Sequence, residues 1–152
     1  MIRLWVILHI LGFTLWIGGS LAAMVAGIAA KGEDRPGLGA VVRAQAAVNR
    51  ILVAPGALLT VFSGLLLTFS VTSLTGGLPG FNTWLVLMQG AGLVGALVVL
   101  LIVLPTSSKL ARIDPLGPNG AYFDELRQRQ RITGSIAGIF ALAALLGGAM
   151  VG

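Results

Sequence analysis

Four stretches of this chain, 4–30, 51–71, 84–104 and 132–151, contain no Asp, Glu, Lys or Arg. A helix rises about 1.5 Å per residue, so about 20 residues cross a hydrocarbon core about 30 Å thick. In that medium only structures that satisfy their own backbone hydrogen bonds persist, and a helix does so within one segment. The four runs therefore read as four membrane-spanning helices. Composition agrees: 57% of residues are hydrophobic and 10% charged, where a soluble domain carries about 25% charged residues. A soluble fold of 152 residues could not hide this much apolar surface, because a small domain leaves much of its surface outside. The expected fold is all-α: a single transmembrane domain over residues 1–152, built as a four-helix bundle in the lipid bilayer. Arg3 ahead of the first run, with small residues around Leu21–Ala23, imitates a signal peptide. The run at 4–30 outlasts a typical signal core and is read as a retained helix.

The connections set the orientation. The first holds Lys31, Arg35, Arg43 and Arg50, and the third holds Lys109, Arg112, Arg127, Arg129 and Arg131. The second, 72–83, has no charge and is rich in Gly, with Pro79. Basic residues stay on the cytoplasmic side, so the first and third connections are expected there and both termini outside. The net charge of +5 is thus a topology signal, and no nucleic-acid partner is read from it. Within the first connection, Gly32, Pro36 and Gly37 suggest a turn, followed by a helix over 38–49 that extends the second span. In the third, Pro115, Gly117 and Pro118 break the chain, and Asn119 is expected to cap a helix that runs through Arg131 into the fourth span. No internal repeat stands out.

With charges excluded from the spans, the few polar residues become informative, since polar groups at membrane depth face protein and often mark function. His9 is the single histidine. It shares a helical face with Phe13, Trp16 and Ser20, with Gly12 and Gly19 beside them. The second span has Gly56, Thr60, Gly64 and Thr68 at intervals of four, a small-residue stripe suited to close helix packing. The third has one amide, Gln89, with Gly92 and Ala96. The fourth has Gly134, Gly138, Gly147 and Gly148. Counting inward by helical rise places His9, Gln89 and Thr68 in one outward layer, with Met88, Met150 and Gly147 near it.

Three readings of that layer stand. His9 and Gln89 hydrogen-bond to each other or to backbone across helices. Alternatively, His9 is an axial ligand of haem b, with Phe13 and Trp16 as apolar walls and Thr68 and Gln89 nearby. Or His9 joins Met88, Met150 or Met1 in a soft copper(I) site. Other chemistries are excluded. With no cysteine in the chain, disulfides, iron–sulfur clusters and thiolate sites cannot form. The spans have no carboxylate for a proton relay, and there is no phosphate-binding GxxxxGK[ST] loop. The basic segment from Tyr122 to Arg131 reads as headgroup anchoring, with a specific lipid or partner site as the alternative.

The stretch His9-Ile-Leu-Gly-Phe-Thr-Leu-Trp16-Ile-Gly18-Gly19, with Val53-Ala-Pro55-Gly56 and Ser63-Gly64-Leu65, resembles a small bacterial family of predicted four-helix integral membrane proteins of unknown function. That family is distantly similar to the copper-resistance D-type proteins and the short membrane protoporphyrinogen oxidases. The resemblance implies a multi-pass protein of the bacterial inner membrane. The oxidases' first-helix histidine, linked to haem b, corresponds to His9. Their later-helix lysine has no counterpart in a span here, since Lys31 and Lys109 both lie outside the four runs. The functional expectation is a redox-associated haem b or metal protein. The alternative is a non-catalytic accessory or structural subunit, as a homo-oligomer or within a larger membrane complex. No reaction can be named from these residues.

The orientation is open to direct test. The chain lacks cysteine, so single-cysteine variants give clean labels. An impermeant thiol reagent added to intact cells is expected to label Thr75→Cys or Gly77→Cys and to miss Lys109→Cys. Outside labelling at position 109 would reverse the orientation.

Overall fold

The computed structural model describes residues 2–75 and 82–151, and among these the regular structure is entirely helical. Four helical rods are long and apolar enough to cross a membrane: Ile2–Gly32, Arg35–Leu74, Thr83–Leu110 and Gly120–Ala149. The first comprises α1 (Ile2–Ala29) and a closing 3-10 turn. The second joins α2 (Arg35–Val48) to α3 (Ala54–Thr75), and the third joins α4 (Thr83–Val98) to α5 (Leu104–Leu110). The fourth is α6 (Gly120–Ala149). The outside of the bundle is apolar: Ile7, Ile51, Phe62, Leu101 and Ile139 are all more than half exposed. A water-facing surface does not tolerate such a continuous coat, whereas acyl chains match it.

The helix ends follow local chemistry. Asp34 accepts the Gly37 N–H at 2.8 Å and caps α2. Pro36 and Gly37, expected in a turn, lie inside the first helical turn, where a missing proline N–H costs no bond. The expected helix over 38–49 is present and runs continuously into α3. Asn82 caps α4 by accepting from the Trp84 and Leu85 N–H groups. Asn119 precedes α6, but its side chain makes no capping bond, which departs from the expectation. Residues 76–81 of the second connection, with Pro79, lie outside the described residues.

The second and third rods share a device that was not seen as a repeat. Each contains one five-residue π-helical turn, Asn49–Val53 and Val99–Val103. Two residues beyond each stands a proline, in Ile51-Leu-Val-Ala-Pro55 and Leu101-Ile-Val-Leu-Pro105. A proline inside a helix removes an N–H and drives its ring against the carbonyl four residues back. The wider π turn gives that carbonyl room. Val53, Val99 and Val103, from the two π turns, pack in one core cluster with Trp16, Ala57, Ala96, Ala137 and Ala141. A second cluster, Val42, Leu110, Phe123 and Leu126, closes the end that bears the basic connections.

Packing divides the bundle into two antiparallel pairs, α1 on α3 and α4 on α6, with lighter contact between the pairs. Glycines set both approaches. A Cβ at Gly56 would meet the Trp16 backbone nitrogen at 2.6 Å and the Gly12 carbonyl at 2.7 Å. A Cβ at Gly147 would meet the Met88 nitrogen at 2.8 Å. Gly95, not singled out in the sequence, receives the Trp16 ring edge at 3.1 Å from a Cβ position, while the neighbouring Gly92 makes only ordinary contact. Gly18, Gly134 and Gly138 face open space.

Gly56→Ala is therefore expected to force α1 off α3 and destabilise the bundle by about 1–3 kcal/mol, as overpacking does. Gly18→Ala should be neutral or slightly stabilising, because alanine is the better helix former by up to about 1 kcal/mol. Thermal melts of the two variants in one detergent would show the contrast; equal melting temperatures would place Gly56 on lipid.

Candidate functional site

α1 carries His9 to the same face as Gly12 and Trp16, and that face lies on α3. The His9 ring rests on Gly64, where a Cβ would stand 2.9 Å from Cε1. Its Nδ1 lies 2.9 Å from the Thr60 carbonyl and 3.3 Å from the Ser63 hydroxyl oxygen. The Ser63 hydroxyl donates to the Leu59 carbonyl, so its oxygen is left to accept. Both partners of Nδ1 are thus acceptors, and Nδ1 carries the hydrogen. In the neutral ring this leaves Nε2 with the lone pair. Nε2 has no partner among the described residues.

The surroundings explain why an imidazole sits here. Thr60, Ser63 and Thr68 each turn a hydroxyl hydrogen back to a carbonyl of the preceding turn of α3. The hydroxyls thereby satisfy themselves within the helix and present oxygen lone pairs outward. Such a surface accepts hydrogen bonds, and His9 supplies the donor from α1. The ring is half-buried, on the flank of the α1–α3 pair.

The other expected site residues are distributed differently. Gln89 donates through Nε2 to the Thr68 hydroxyl at 2.7 Å and so links α4 to α3. The predicted Gln89–Thr68 proximity is present, but their bond stands apart from the contacts of His9, which lie at Thr60, Ser63 and Gly64. The reason is axial: α3 continues to Thr75, so positions counted inward from 71 are displaced by about a turn. Phe13 is half-buried, one turn along from His9. Trp16 is fully buried in the bundle core, against Gly56 and Gly95. Met88 packs within the α4–α6 pair, with Sδ 3.1 Å from a Cβ position on Gly148. Met150 is exposed beyond the end of α6, and Met1 lies outside the described residues. Among the described residues no group of three or more His, Cys, Asp or Glu side chains could hold a metal ion.

Sequence reasoning missed a second polar level. Asn49, Thr106 and Ser107 are buried, the first at the start of one π turn and the others just past the other. Asn49 Nδ2 is without a hydrogen-bond partner among the described residues. The signal was available in the two five-residue segments that end in Pro55 and Pro105, which the apolar runs conceal. Compared with known proteins, the chain matches no family model, no curated protein and no solved structure.

The Gln89–Thr68 bond joins the two helix pairs and can be measured. A double-mutant cycle with Gln89→Ala and Thr68→Ala is expected to give a coupling of about 0.6 kcal/mol, typical of hydrogen bonds between membrane helices. Additive effects of the two substitutions would show that the side chains do not pair in the folded protein.

Proposed function

We propose that the protein is a multi-pass protein of the bacterial inner membrane, with both termini outside the cytoplasm, that holds haem b through His9 in a redox-associated role. One observation supports the reading above the others: Nδ1 of His9 is fixed on the Thr60 carbonyl while Nε2 keeps a free lone pair. Ligating histidines are oriented in this way, with the distal N–H given to a carbonyl that fixes the tautomer and raises the basicity of the coordinating nitrogen. The residues suit a single axial ligand. His9 would hold the iron, and Phe13 would offer apolar surface one turn away. A haem bound there would supply one-electron chemistry. It would lie on the flank of the bundle, because Trp16 is committed to the core. A second axial histidine could come only from another copy of the chain, which favours a homo-oligomer. Orientation is supported by the basic residues, nine of ten of which lie in the first and third connections.

A second reading has its own observation. Trp16, Met88, Gln89 and Thr68 all serve contacts between helices. If His9 does no more than the same, the protein is a non-catalytic accessory subunit, and its uncharged spans are surfaces for a larger membrane complex. The two readings separate in the visible spectrum. Protein purified from cells supplied with haem and copper is expected to show a Soret band. His9→Ala should abolish that band while leaving a folded, helical protein. A colourless, metal-free wild type would sink the haem and copper readings alike and leave the accessory subunit.

A further inference from the structure

An exposed track of mixed character lies on α6, away from His9. A shallow groove of about 650 Å³ follows one face of this helix. At one end it is cationic, with Arg127 and Arg131 and the amide of Gln128. Further along, the same face is apolar, with Ile132, Ile136 and Ile139. These isoleucines are 53%, 41% and 65% exposed, so the described residues leave this face largely open.

Charge and length together select the occupant. The acidic residue at the cationic end, Asp124, is held by Arg35 in a two-bonded pair at 3.0 and 2.8 Å. Its charge is neutralised within the protein, and Arg127 and Arg131 are left for an external anion. Arginine's planar fork suits a phosphate oxygen pair. Counting back about 20 residues from the far end of α6, at Ala149, puts Arg131 at the border of the hydrocarbon core. From there to Ile139 the helix rises about 12 Å, close to one leaflet's share of a core about 30 Å thick. The groove is thus polar at headgroup depth and apolar at acyl depth. The second groove, beside Lys109 and Arg112, lacks such a track; its apolar lining is Pro105 and Ile113.

We propose that this face of α6 is a binding site for an anionic phospholipid, with the phosphate on Arg127 and Arg131 and one acyl chain along Ile132, Ile136 and Ile139. The proposal rests on the membrane reading but not on haem or on orientation. Native mass spectrometry of the full chain, titrated with phosphatidylglycerol or with phosphatidylcholine of the same acyl chains, tests it. Phosphatidylglycerol should be retained preferentially. The Arg127→Gln/Arg131→Gln double variant should lose roughly tenfold or more of that preference, from about 1 kcal/mol per basic residue near the surface. The Arg43→Gln/Arg129→Gln variant removes the same charge outside the groove and should keep it. Equal retention of the two lipids, or equal losses in the two double variants, would overturn the site. Displacement by inorganic phosphate would also overturn it, by showing a soluble-anion site. Alkaline carbonate extraction of native membranes checks the underlying reading separately, since a chain stripped from the membrane would not be an integral protein at all.

Discussion

The indole of Trp16 is the contact on which the bundle turns. Apolar surface gains nothing by leaving lipid for a helix interface, so association of membrane helices depends on fit and on hydrogen bonds. Trp16 supplies fit between the two helix pairs. Its backbone touches α3 at Gly56, and its ring edge reaches α4 at Gly95. A side chain at Gly56 would part α1 from α3; one at Gly95 would push the ring back and part the pairs. Everything inward of it in the main core is small or β-branched: Val53, Ala57, Ala96, Val99, Ala137 and Ala141. One aromatic side chain among small neighbours fixes a single register, since it fits only where both glycines face it. The cost is a buried indole N–H without a partner among the described residues. A buried donor left unsatisfied costs about 1–3 kcal/mol, which the packing around the ring must offset.

The paired prolines act at the same level. Each withdraws one backbone donor from its helix and opens one π turn, and the two turns meet in the cluster that contains Trp16. At their basic-end edge come Asn49, Thr106 and Ser107, all buried, with Gln130 Oε1 on α6 buried and without a partner among the described residues. These residues separate the two apolar clusters. The interior thus alternates, apolar above and below a polar level, and the polar level coincides with the two helices whose backbone hydrogen bonding is already interrupted. Helical rods with such interruptions retain their direction but not a uniform ladder of bonds.

The four rods were legible because charge exclusion is a long-range signal that needs no knowledge of packing. The helix over 38–49 that extends the second rod was legible from its helical pattern, but its start at Arg35 was not, because Pro36 read as a turn: proline breaks a helix in the middle but begins one well. Gly12, Gly19, Gly56 and Gly64 were recognisable as packing positions. Gly95 was not, because nothing in the sequence says which glycine in Gly90, Gly92 and Gly95 will receive a ring from another helix. At the candidate site, the sequence singled out His9, Thr68 and Gln89 as one layer; Gln89 bonds Thr68, while His9 bonds elsewhere on α3, at Thr60 and Ser63. Depth was counted from apolar edges, and α3 extends a turn beyond its edge. Which nitrogen of His9 is engaged depends on the self-satisfied hydroxyls of α3, a feature that exists only once the helix has formed.

The distribution of polarity limits what such a protein can do. With no carboxylate, ammonium or guanidinium in the four charge-free runs, these offer neutral hydroxyls, the Gln89 amide and one imidazole. Neutral groups can orient a ligand or hold a metal centre, but they cannot relay a proton through carboxylates. Most of the cations gather at the other end, with Arg127 and Arg131 on the groove of α6. Under the function and the lipid site proposed above, the two ends would take different ligands, iron at His9 and a phosphate at the arginines. Between them stand Trp16 and the two π turns, whose buried members Val53, Val99 and Val103 are apolar packing and whose one charged residue, Arg50, is exposed. The two interrupted rods, Arg35–Leu74 and Thr83–Leu110, run through both apolar clusters and the polar level, and so tie the two ends together by packing.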